Sequence, residues 1–234
     1  MKLAIMQPYL FPYIGYFQLI NAVDKFVIYD DVNFIKQGWI NRNNILINNS
    51  AHLFTVPLSN QSSFSKINSV MINEKLYSPW VKKFIKSVEL SYNKAPFFNE
   101  IFPLLHTFFL SEENYISNMA SKSLKLISDY IGITTSFEYS SVEYANKYLN
   151  SQERVLDICK QEKATQYINP IGGIEIYTKE LFENAGIELN FIKTNFIEYK
   201  QFKNEFIPGL SIIDVLMFNS KEKTKEMLVH FKLI

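Results

Sequence analysis

The sequence predicts an α/β fold, a Rossmann-like and mostly parallel sheet with helices on both faces and a helical insertion in the middle of the chain. Apolar runs of strand length alternate with segments of helical periodicity at both ends of the 234 residues, a pattern typical of parallel strands joined by helices. Between these ends, residues 78–131 show helical periodicity,. We therefore expect a single α/β domain over residues 1–234, with the insertion at about 78–131.

The first alternating unit is predicted to be a strand, a tight turn, a helix and a second strand. Residues 3–6 are apolar, and Pro8 and Pro12 then interrupt any strand or helix,. Apolar residues next recur at helical spacing, at Ile14, Phe17, Ile20 and Val23. Residues 26–29 are apolar and partly β-branched, as in a buried strand,. The unit places a helix N-terminus at the carboxyl edge of the first strand, where open α/β sheets bind ligands and helix N–H groups favour anions.

The remaining elements follow from periodicity and from turn residues. Further strands are predicted at residues 53–58, 70–72, 135–139, 165–169 and 187–193. Further helices are predicted from Pro79 onward and at residues 97–110, 115–131, 150–163, 177–185, 212–218 and 222–231. The spacings Asn150 to Glu153 and Ser211 to Asp214 are those of a capping box. Gly132 and Gly186 are expected at helix ends, and we expect a turn in the Asn- and Ser-rich run to Ser50 and a polar loop at 60–65.

Composition excludes several classes of protein. The net charge is +1 and the two signs are interspersed, unlike the basic stripe of a nucleic-acid binder. The single cysteine, Cys159, excludes an internal disulfide, suits a reducing compartment and lies on an apolar helix face as a buried thiol,. The N-terminus lacks the pattern of a signal peptide, and apolar stretches stay short of the ~18 residues that span a bilayer. We expect a cytoplasmic protein without membrane insertion.

Arginine is rare in this lysine-rich chain and occurs only at Arg42 and Arg154. A site that needs the planar, bidentate guanidinium group would keep such a residue. Arg42 is therefore predicted to hold a phosphate or a carboxylate, with Trp39 stacking on a sugar or base and Asn41 and Asn43 completing a polar cluster. The alternative is that Arg42 forms an ordinary surface ion pair.

Other candidate ligand contacts lie where predicted strands end. The first group is the turn after the first strand, with Gln7, Tyr13, Gly15 and Tyr16, which would otherwise be a proline-shaped loop packed on the core. Asp31 ends the second strand and could bind a hydroxyl or an ammonium group, whereas Asp30 is expected to be a solvated turn residue. Because the sequence has no carboxylate cluster with metal-ligand spacing, no metal site is predicted.

Three further candidates carry weaker signals. The Gly172-Gly173 loop follows a predicted strand and could cradle a phosphate with its N–H groups, with Tyr177 nearby, or be a plain turn. Lys83 could contact an anion, although Trp80 and Tyr92 on the same helix are expected in the core. Ser211 is explained first as a helix cap.

The motifs form a series that resembles one family from end to end. The series comprises Gln7, Pro8, Pro12, Gly15 and Tyr16, then Phe26-Val27 with Asp31, Trp39, Arg42-Asn43, Val56-Pro57, Trp80 with Lys83, Tyr92 with Lys94-Ala95-Pro96, Tyr167, Gly172-Gly173, Tyr177, and Phe206-x-Pro-x-Leu-Ser with Asp214. The series resembles the WbqC-like family. The resemblance implies a bacterial enzyme encoded among genes for O-antigen (lipopolysaccharide) and related surface polysaccharides, and glycine transfer to an amino sugar has been suggested for some members. The chain departs from the family pattern at Asn33, Lys83 and Ser220.

The first unit is similar, more weakly, to the HIGH-motif nucleotidyltransferases such as pantothenate synthetase. In those enzymes a His-x-Gly-His turn after the first strand stabilises phosphates, and a Ser-rich loop near the chain end also contacts them. The matching turn here is Tyr13-Ile14-Gly15-Tyr16, which lacks both imidazoles. A Tyr hydroxyl at these positions can donate a hydrogen bond to a phosphate but carries no positive charge. In this analogy Ser211 is a further phosphate contact.

The resemblance implies a transferase that attaches an amino-acid acyl group, such as glycyl, to the amine of a nucleotide-linked amino sugar. Arg42 and the helix N-terminus at Gly15 would hold an anionic group, and Asp31 would orient or deprotonate the amine. The expected ligands are a nucleotide-sugar and an amino-acyl donor. Two alternatives remain, a nucleotidyltransferase that binds ATP at Tyr13–Tyr16 and a non-catalytic sugar-binding or scaffold protein. All versions expect the candidate residues to converge on a single cleft.

Overall fold

The computed structural model describes residues 1–59, 61–202 and 205–234. Its strands are β1 (Lys2–Met6), β2 (Lys25–Ile28), β3 (Arg42–Ile47), β4 (Ser50–Thr55), β5 (Leu58–Ser59), β6 (Met71–Ile72), β7 (Ser136–Glu138), β8 (Gln166–Pro170), β9 (Glu188–Thr194) and β10 (Phe231–Leu233). Its α-helices are α1 (Ile14–Asn21), α2 (Glu74–Tyr92), α3 (Phe98–Leu110), α4 (Ile116–Ile131), α5 (Ser151–Gln161), α6 (Lys179–Glu183), α7 (Ile212–Phe218) and α8 (Lys221–Met227).

The described residues place six of these strands in a central sheet, in the order β10-β9-β8-β1-β2-β7. Neighbouring strands are parallel except for the antiparallel pair β9–β10. The chain runs from β1 through β2 to β7 at one edge and returns on the other side of β1 for β8. This is the 3-2-1-4-5-6 order of the Rossmann fold, whose switch point lies between β1 and β8. The predicted fold class is confirmed.

The side chains of β1 show that both faces of the sheet are covered. Ala4 packs into an apolar cluster with residues of α1, α4 and α7, a side called here the α1 face. Leu3 and Ile5 point the other way and pack with Val155 of α5 and Phe182 of α6, on the α5 face. Because successive strand residues alternate between faces, the continuous apolar run of β1 reflects burial on both sides.

The middle of the chain is largely helical, as predicted. Helices α2, α3 and α4 lie between β6 and β7 in the chain, after the β3–β4 hairpin. The hairpin turns at Asn48 and Asn49, whose φ angles of 48° and 65° suit Asn better than most residues,. The predicted turn before Ser50 is therefore confirmed.

Several element boundaries differ from the prediction. Strands β3 and β10 were not predicted, and the last helix ends at Met227, before β10 begins. Helix α2 begins at Glu74 rather than at Pro79, because the Asn73 side chain accepts a hydrogen bond from the Leu76 N–H at 3.1 Å,. Asn60, the first residue of the predicted polar loop, lies outside the described residues.

The helix ends confirm two of the predicted caps and correct another. Gly132 and Gly186 follow helices with φ angles of 83° and 72°,. The capping box predicted at Asn150 is wrong, since within the described ranges its side chain makes no capping hydrogen bond to α5. Ser211 does cap α7 by accepting from the Ile213 N–H at 3.3 Å, but the Asp214 carboxylate points into a different network, described below.

Two further predictions concern the core and the helices. Cys159 is fully buried, and burial raises the pKa of its thiol to about 12, so it is an inert packing residue,. None of the helices in the described ranges combines the length and the apolar character that crossing a membrane requires.

Candidate functional site

One candidate site is a cleft of about 310 Å³ at the carboxyl ends of β1 and β9, called here the aromatic cleft. It is lined by Tyr9, Pro12, Tyr13, Trp39, Asn43, Phe196 and Gly209. The turn with Tyr9 and Tyr13 follows β1, and Phe196 lies two residues beyond the end of β9. The volume and the aromatic walls are typical of a site for a small organic ligand.

Arg42 lies at the side of this cleft without an acidic partner. Its guanidinium carbon is 5.8 Å from the centre of the Trp39 ring, and its Nε donates to the Gly38 carbonyl at 2.8 Å. Among the described residues, no carboxylate lies within 4.0 Å of the Arg42 guanidinium. The expected alternative, a surface ion pair, is therefore not seen there, and a cation and an exposed aromatic ring stand side by side at the cleft.

A second group of polar residues, called here the edge cluster, lies on the α5 face at the ends of β1, β2 and β8. It comprises Tyr29, Asp31, Arg154, Tyr167, Asn169, Gly173 and Tyr177. Gln7 is assigned to it because it continues the alternation of β1,. The Asp31 carboxylate accepts hydrogen bonds from Nη2 of Arg154 at 2.7 and 2.6 Å. It also accepts one from the Ser141 hydroxyl. This ion pair is buried, because the two side chains are 6% and 1% exposed.

The environment of Arg154 explains how this ion pair is held. Its Nε donates to Asn146 Oδ1 at 2.8 Å, and its guanidinium lies 5.0 Å from the centre of the Tyr29 ring. Burial raises the pKa of Tyr29, and the positive charge of Arg154 partly offsets that rise. Asp31 therefore already has its partners, so its placement favours a positioning role over deprotonation of a substrate amine. Arg154 was missed, although the rarity of arginine applied to it as much as to Arg42.

The part of the edge cluster around β8 is also tightly packed. Asn169 Nδ2 donates to the Tyr167 hydroxyl at 2.7 Å, which lies 3.3 Å from the Tyr177 hydroxyl. A Cβ at Gly173 would approach Asn169 Oδ1 to well under 3.0 Å, whereas Gly172 faces open space. Burial raises the pKa of both Tyr167 and Tyr177, so both are neutral phenols at physiological pH,. Gly173 is thus explained by close packing against Asn169.

Gln7 has an unsatisfied polar group. It directly follows β1, and the alternation from Leu3 and Ile5 puts it on the α5 face,. In the described part of the chain, its buried Oε1 has no hydrogen-bond partner. Buried acceptors rarely lack a donor, so Gln7 remains the member of the edge cluster best suited to contact a ligand.

The turn Tyr13–Tyr16 is packed rather than open. The Tyr16 hydroxyl is buried and donates to the Gln7 carbonyl at 2.6 Å, and burial raises its pKa. Gly15 fits between the Tyr13 ring and the Thr194 Oγ1, where a Cβ would approach both too closely. The Tyr16 hydroxyl is therefore already engaged and is not a free donor to a phosphate, which weakens the proposed analogy with nucleotidyltransferases.

Three residues predicted as ligand contacts instead hold the backbone. Asn41 Nδ2 donates to the Val56 carbonyl at 2.8 Å. Asn43 Nδ2 and Ser211 Oγ both donate to the Phe11 carbonyl, at 2.8 and 2.6 Å. Asn43 in addition lines the aromatic cleft. Asn43 and Ser211 therefore shape the turn after β1, and Asn41 holds the segment that follows β4. Their spacing in the sequence did not reveal these roles.

Lys83 lies in neither group. It is exposed on α2 and lines a separate groove of about 190 Å³ together with His52 and Trp80. The structure therefore does not bring this lysine to the ligand contacts predicted at the sheet edge.

Comparison with known proteins identifies the family. Residues 7–226 match the model of the WbqC-like protein family. The chain belongs to the WbqC-like family. A relative from Mycobacterium tuberculosis (strain ATCC 25618 / H37Rv), named "Uncharacterized protein Rv1507c", is 32% identical over 222 residues, which cover 93% of each chain. No solved structure was found to match.

The residues that carry the resemblance to the WbqC-like family divide between the two groups. Pro12, Trp39 and Asn43 line the aromatic cleft, with Arg42 beside it. Asp31, Gly173 and Tyr177 belong to the edge cluster on the α5 face. Residues 7–13 join the groups, because this turn begins at Gln7 and ends at Tyr13. The sequence predicted a single cleft, whereas the structure places these residues in two neighbouring groups at the carboxyl edge of one sheet.

Proposed function

We propose that this WbqC-like protein binds a nucleotide-linked amino sugar at the carboxyl edge of its sheet and transfers an amino-acid acyl group, such as glycyl, to the sugar's amine. The resemblance that suggests surface-polysaccharide assembly supports the pathway, and a single cysteine suits the cytoplasm as the compartment,. The observation that carries the proposal is Arg42, a cation that lies beside the aromatic cleft and has no acidic partner among the described residues.

The aromatic cleft suits the nucleotide end of such a ligand. The rings of Tyr9, Tyr13, Trp39 and Phe196 offer apolar faces on which a base or a sugar can stack,. The guanidinium of Arg42 can then pair with a diphosphate through two parallel hydrogen bonds. The aromatic wall of the cleft, with the Arg42 guanidinium beside it, therefore fits a flat base that is joined to an anionic diphosphate.

The sugar end would follow the turn towards the edge cluster. In this arrangement the partly exposed Gln7 side chain turns towards the ligand, and its Oε1, which has no partner among the described residues, accepts a hydrogen bond from the sugar's amine. The amine nitrogen attacks the carbonyl carbon of a thioester-activated amino acid and forms an amide. The C–S bond breaks, and the thiolate leaves with its electron pair and takes up the proton lost by the amine. The protein's contribution is positioning and electrostatic stabilisation.

Isothermal titration with UDP-glucosamine tests the binding step. The Arg42→Ala variant should bind at least about tenfold more weakly than the unmodified protein, since a charge-assisted hydrogen bond contributes about 1.5–3 kcal/mol. Lys75→Ala removes an exposed positive charge at the start of α2 and serves as the matched control. Equal binding by the Arg42→Ala variant and the unmodified protein would overturn the assigned site.

Mass spectrometry tests the transfer step. UDP-glucosamine incubated with the protein and a glycyl thioester of pantetheine should gain the mass of one glycyl residue, and the protein-free mixture sets the background. Binding without a mass gain above that background would contradict acyl transfer from this donor class. It would leave a sugar-binding role.

A further inference from the structure

The turn that lines the aromatic cleft contains a strained residue at its centre. Phe11 has a φ angle of 42°, in the left-handed region that bulky residues avoid,. Its ring is fully buried and packs against Phe108 and Phe109 at the end of α3, with ring centres 4.8 and 5.5 Å away. A conformation of this kind persists only where the surroundings hold it in place.

The backbone of Phe11 is held from both sides by side chains of other elements. Its N–H donates to the Ser123 hydroxyl on α4 at 3.1 Å. Its carbonyl accepts from Ser211 at 2.6 Å and from Asn43 at 2.8 Å. The Ser123 hydroxyl donates its own hydrogen to the Ala120 carbonyl at 2.7 Å, which leaves a lone pair for the Phe11 N–H,.

The hydrogen bonds that hold the Phe11 backbone also affect the wall of the cleft. Tyr9, Pro12 and Tyr13 belong to the same turn and form part of the wall of the aromatic cleft. A change in the φ angle of Phe11 would reorient the residues on either side of it. Ser123 itself is completely buried, so a ligand in the cleft cannot touch it.

We propose that Ser123 is a positioning residue for the ligand of the aromatic cleft, acting through the backbone of Phe11. The inference rests on the proposed function, because it assigns to α4 the task of keeping the cleft in its binding shape. The helical segment between β6 and β7 is thereby coupled to the ligand site.

The chain offers a matched pair of variants for the test. Ser123→Ala removes the acceptor of the Phe11 N–H, whereas Ser128→Ala changes another buried serine of the same helix. Within the described residues, the Ser128 hydroxyl has no hydrogen-bond partner. Ser123→Cys keeps the shape of the side chain with a weaker acceptor and serves if the alanine variant does not fold.

Two measurements separate positioning from simple stability. Hydrogen–deuterium exchange of a peptide that contains Phe11 should become faster in Ser123→Ala and stay unchanged in Ser128→Ala. Isothermal titration with UDP-glucosamine, well below the unfolding midpoint of each variant, should show at least fivefold weaker binding by Ser123→Ala alone.

The outcomes distinguish the two claims. No binding by the unmodified protein overturns the proposed function. Binding by the unmodified protein that Ser123→Ala retains within twofold overturns the positioning role. Unchanged hydrogen–deuterium exchange at Phe11 in the folded Ser123→Ala variant would show that the Ser123 hydroxyl does not hold the Phe11 backbone.

Discussion

At the scale of single residues, the buried ion pair Arg154–Asp31 matters for stability because removing one partner leaves the other charge buried and unpaired,. Replacing Arg154 by Met would leave the Asp31 carboxylate buried without its cation. Such a change costs about 3–5 kcal/mol of unfolding free energy. We expect a loss of this size for Arg154→Met in urea unfolding followed by circular dichroism.

The matched control for that variant removes the second charge as well. Arg154→Met combined with Asp31→Asn no longer leaves an unpaired buried charge, so it should be more stable than Arg154→Met alone. If the single and double variants unfold at the same urea concentration, Asp31 does not depend on Arg154 in the way described.

Asp214 shows the opposite arrangement, a buried carboxyl with hydroxyl and amide partners. It accepts hydrogen bonds from Tyr92 at 2.8 Å, Tyr199 at 2.7 Å and Gln201 at 2.7 Å. Burial raises its pKa above the ordinary Asp value of 3.8, and the three hydrogen bonds only partly offset that rise. Asp214 therefore holds its proton in the fold at pH values where the unfolded chain has lost it.

This raised pKa predicts a pH dependence of stability. Between 3.8 and the higher folded pKa, the native state binds more protons at Asp214 than the unfolded state does. The contribution of Asp214 to the free energy of unfolding must therefore fall as pH rises through that window. The stability of the unmodified protein relative to Asp214→Asn should decrease accordingly in urea titrations at several pH values. A difference that is constant with pH would contradict the raised pKa.

At the scale of elements, the turn after β8 offers a neighbouring pair of glycines. Gly173→Ala would push a methyl group into Asn169, so it should destabilise the protein by about 1–3 kcal/mol, as overpacking does. Gly172→Ala meets no atom within 4 Å and should change stability by less than about 1 kcal/mol,. Thermal unfolding of the two variants decides, and equal midpoints would show that the close packing at Gly173 is absent.

The elements that could be predicted are those with a strong local pattern. Helix α7 matches the prediction at both ends, and the strands with continuous apolar runs were found because burial on both sheet faces leaves a clear signal,. Strand β3 was missed because it starts with the polar residues Arg42, Asn43 and Asn44, and its pairing with β4 supplies what its own sequence does not show,. Strand β10 has three residues and forms only by pairing with the distant β9.

At the scale of the whole molecule, the fold class was more predictable than the contacts of individual side chains. The parallel alternation was enough to expect ligands at the carboxyl edge. The partners of Asp31, Asn43 and Ser211 lie far away in sequence, and long-range contacts of this kind leave no periodic signal. The sequence therefore indicated that these residues lie at the carboxyl edge of the sheet, but it could not show that their polar groups bond to other parts of the protein.

The division of the candidate residues between two faces follows from the same alternation. Asp31, Gly173 and Tyr177 belong to the α5 face, whereas the aromatic cleft packs against the α1 face. The turn of residues 7–13 connects the two groups, since it begins at Gln7 and ends at the cleft-lining Tyr13. A ligand that contacts both groups is therefore expected to lie along this turn.

A crystal structure of the protein with UDP-glucosamine would show whether the ligand lies along the turn of residues 7–13. We predict the base or sugar between the rings of the aromatic cleft, the diphosphate within hydrogen-bond distance of Arg42, and the amine directed along the turn towards Gln7. The larger cavity of about 410 Å³ between α2 and α3 is the main rival position. A nucleotide-sugar bound there, with the aromatic cleft empty, would contradict this placement of the ligand.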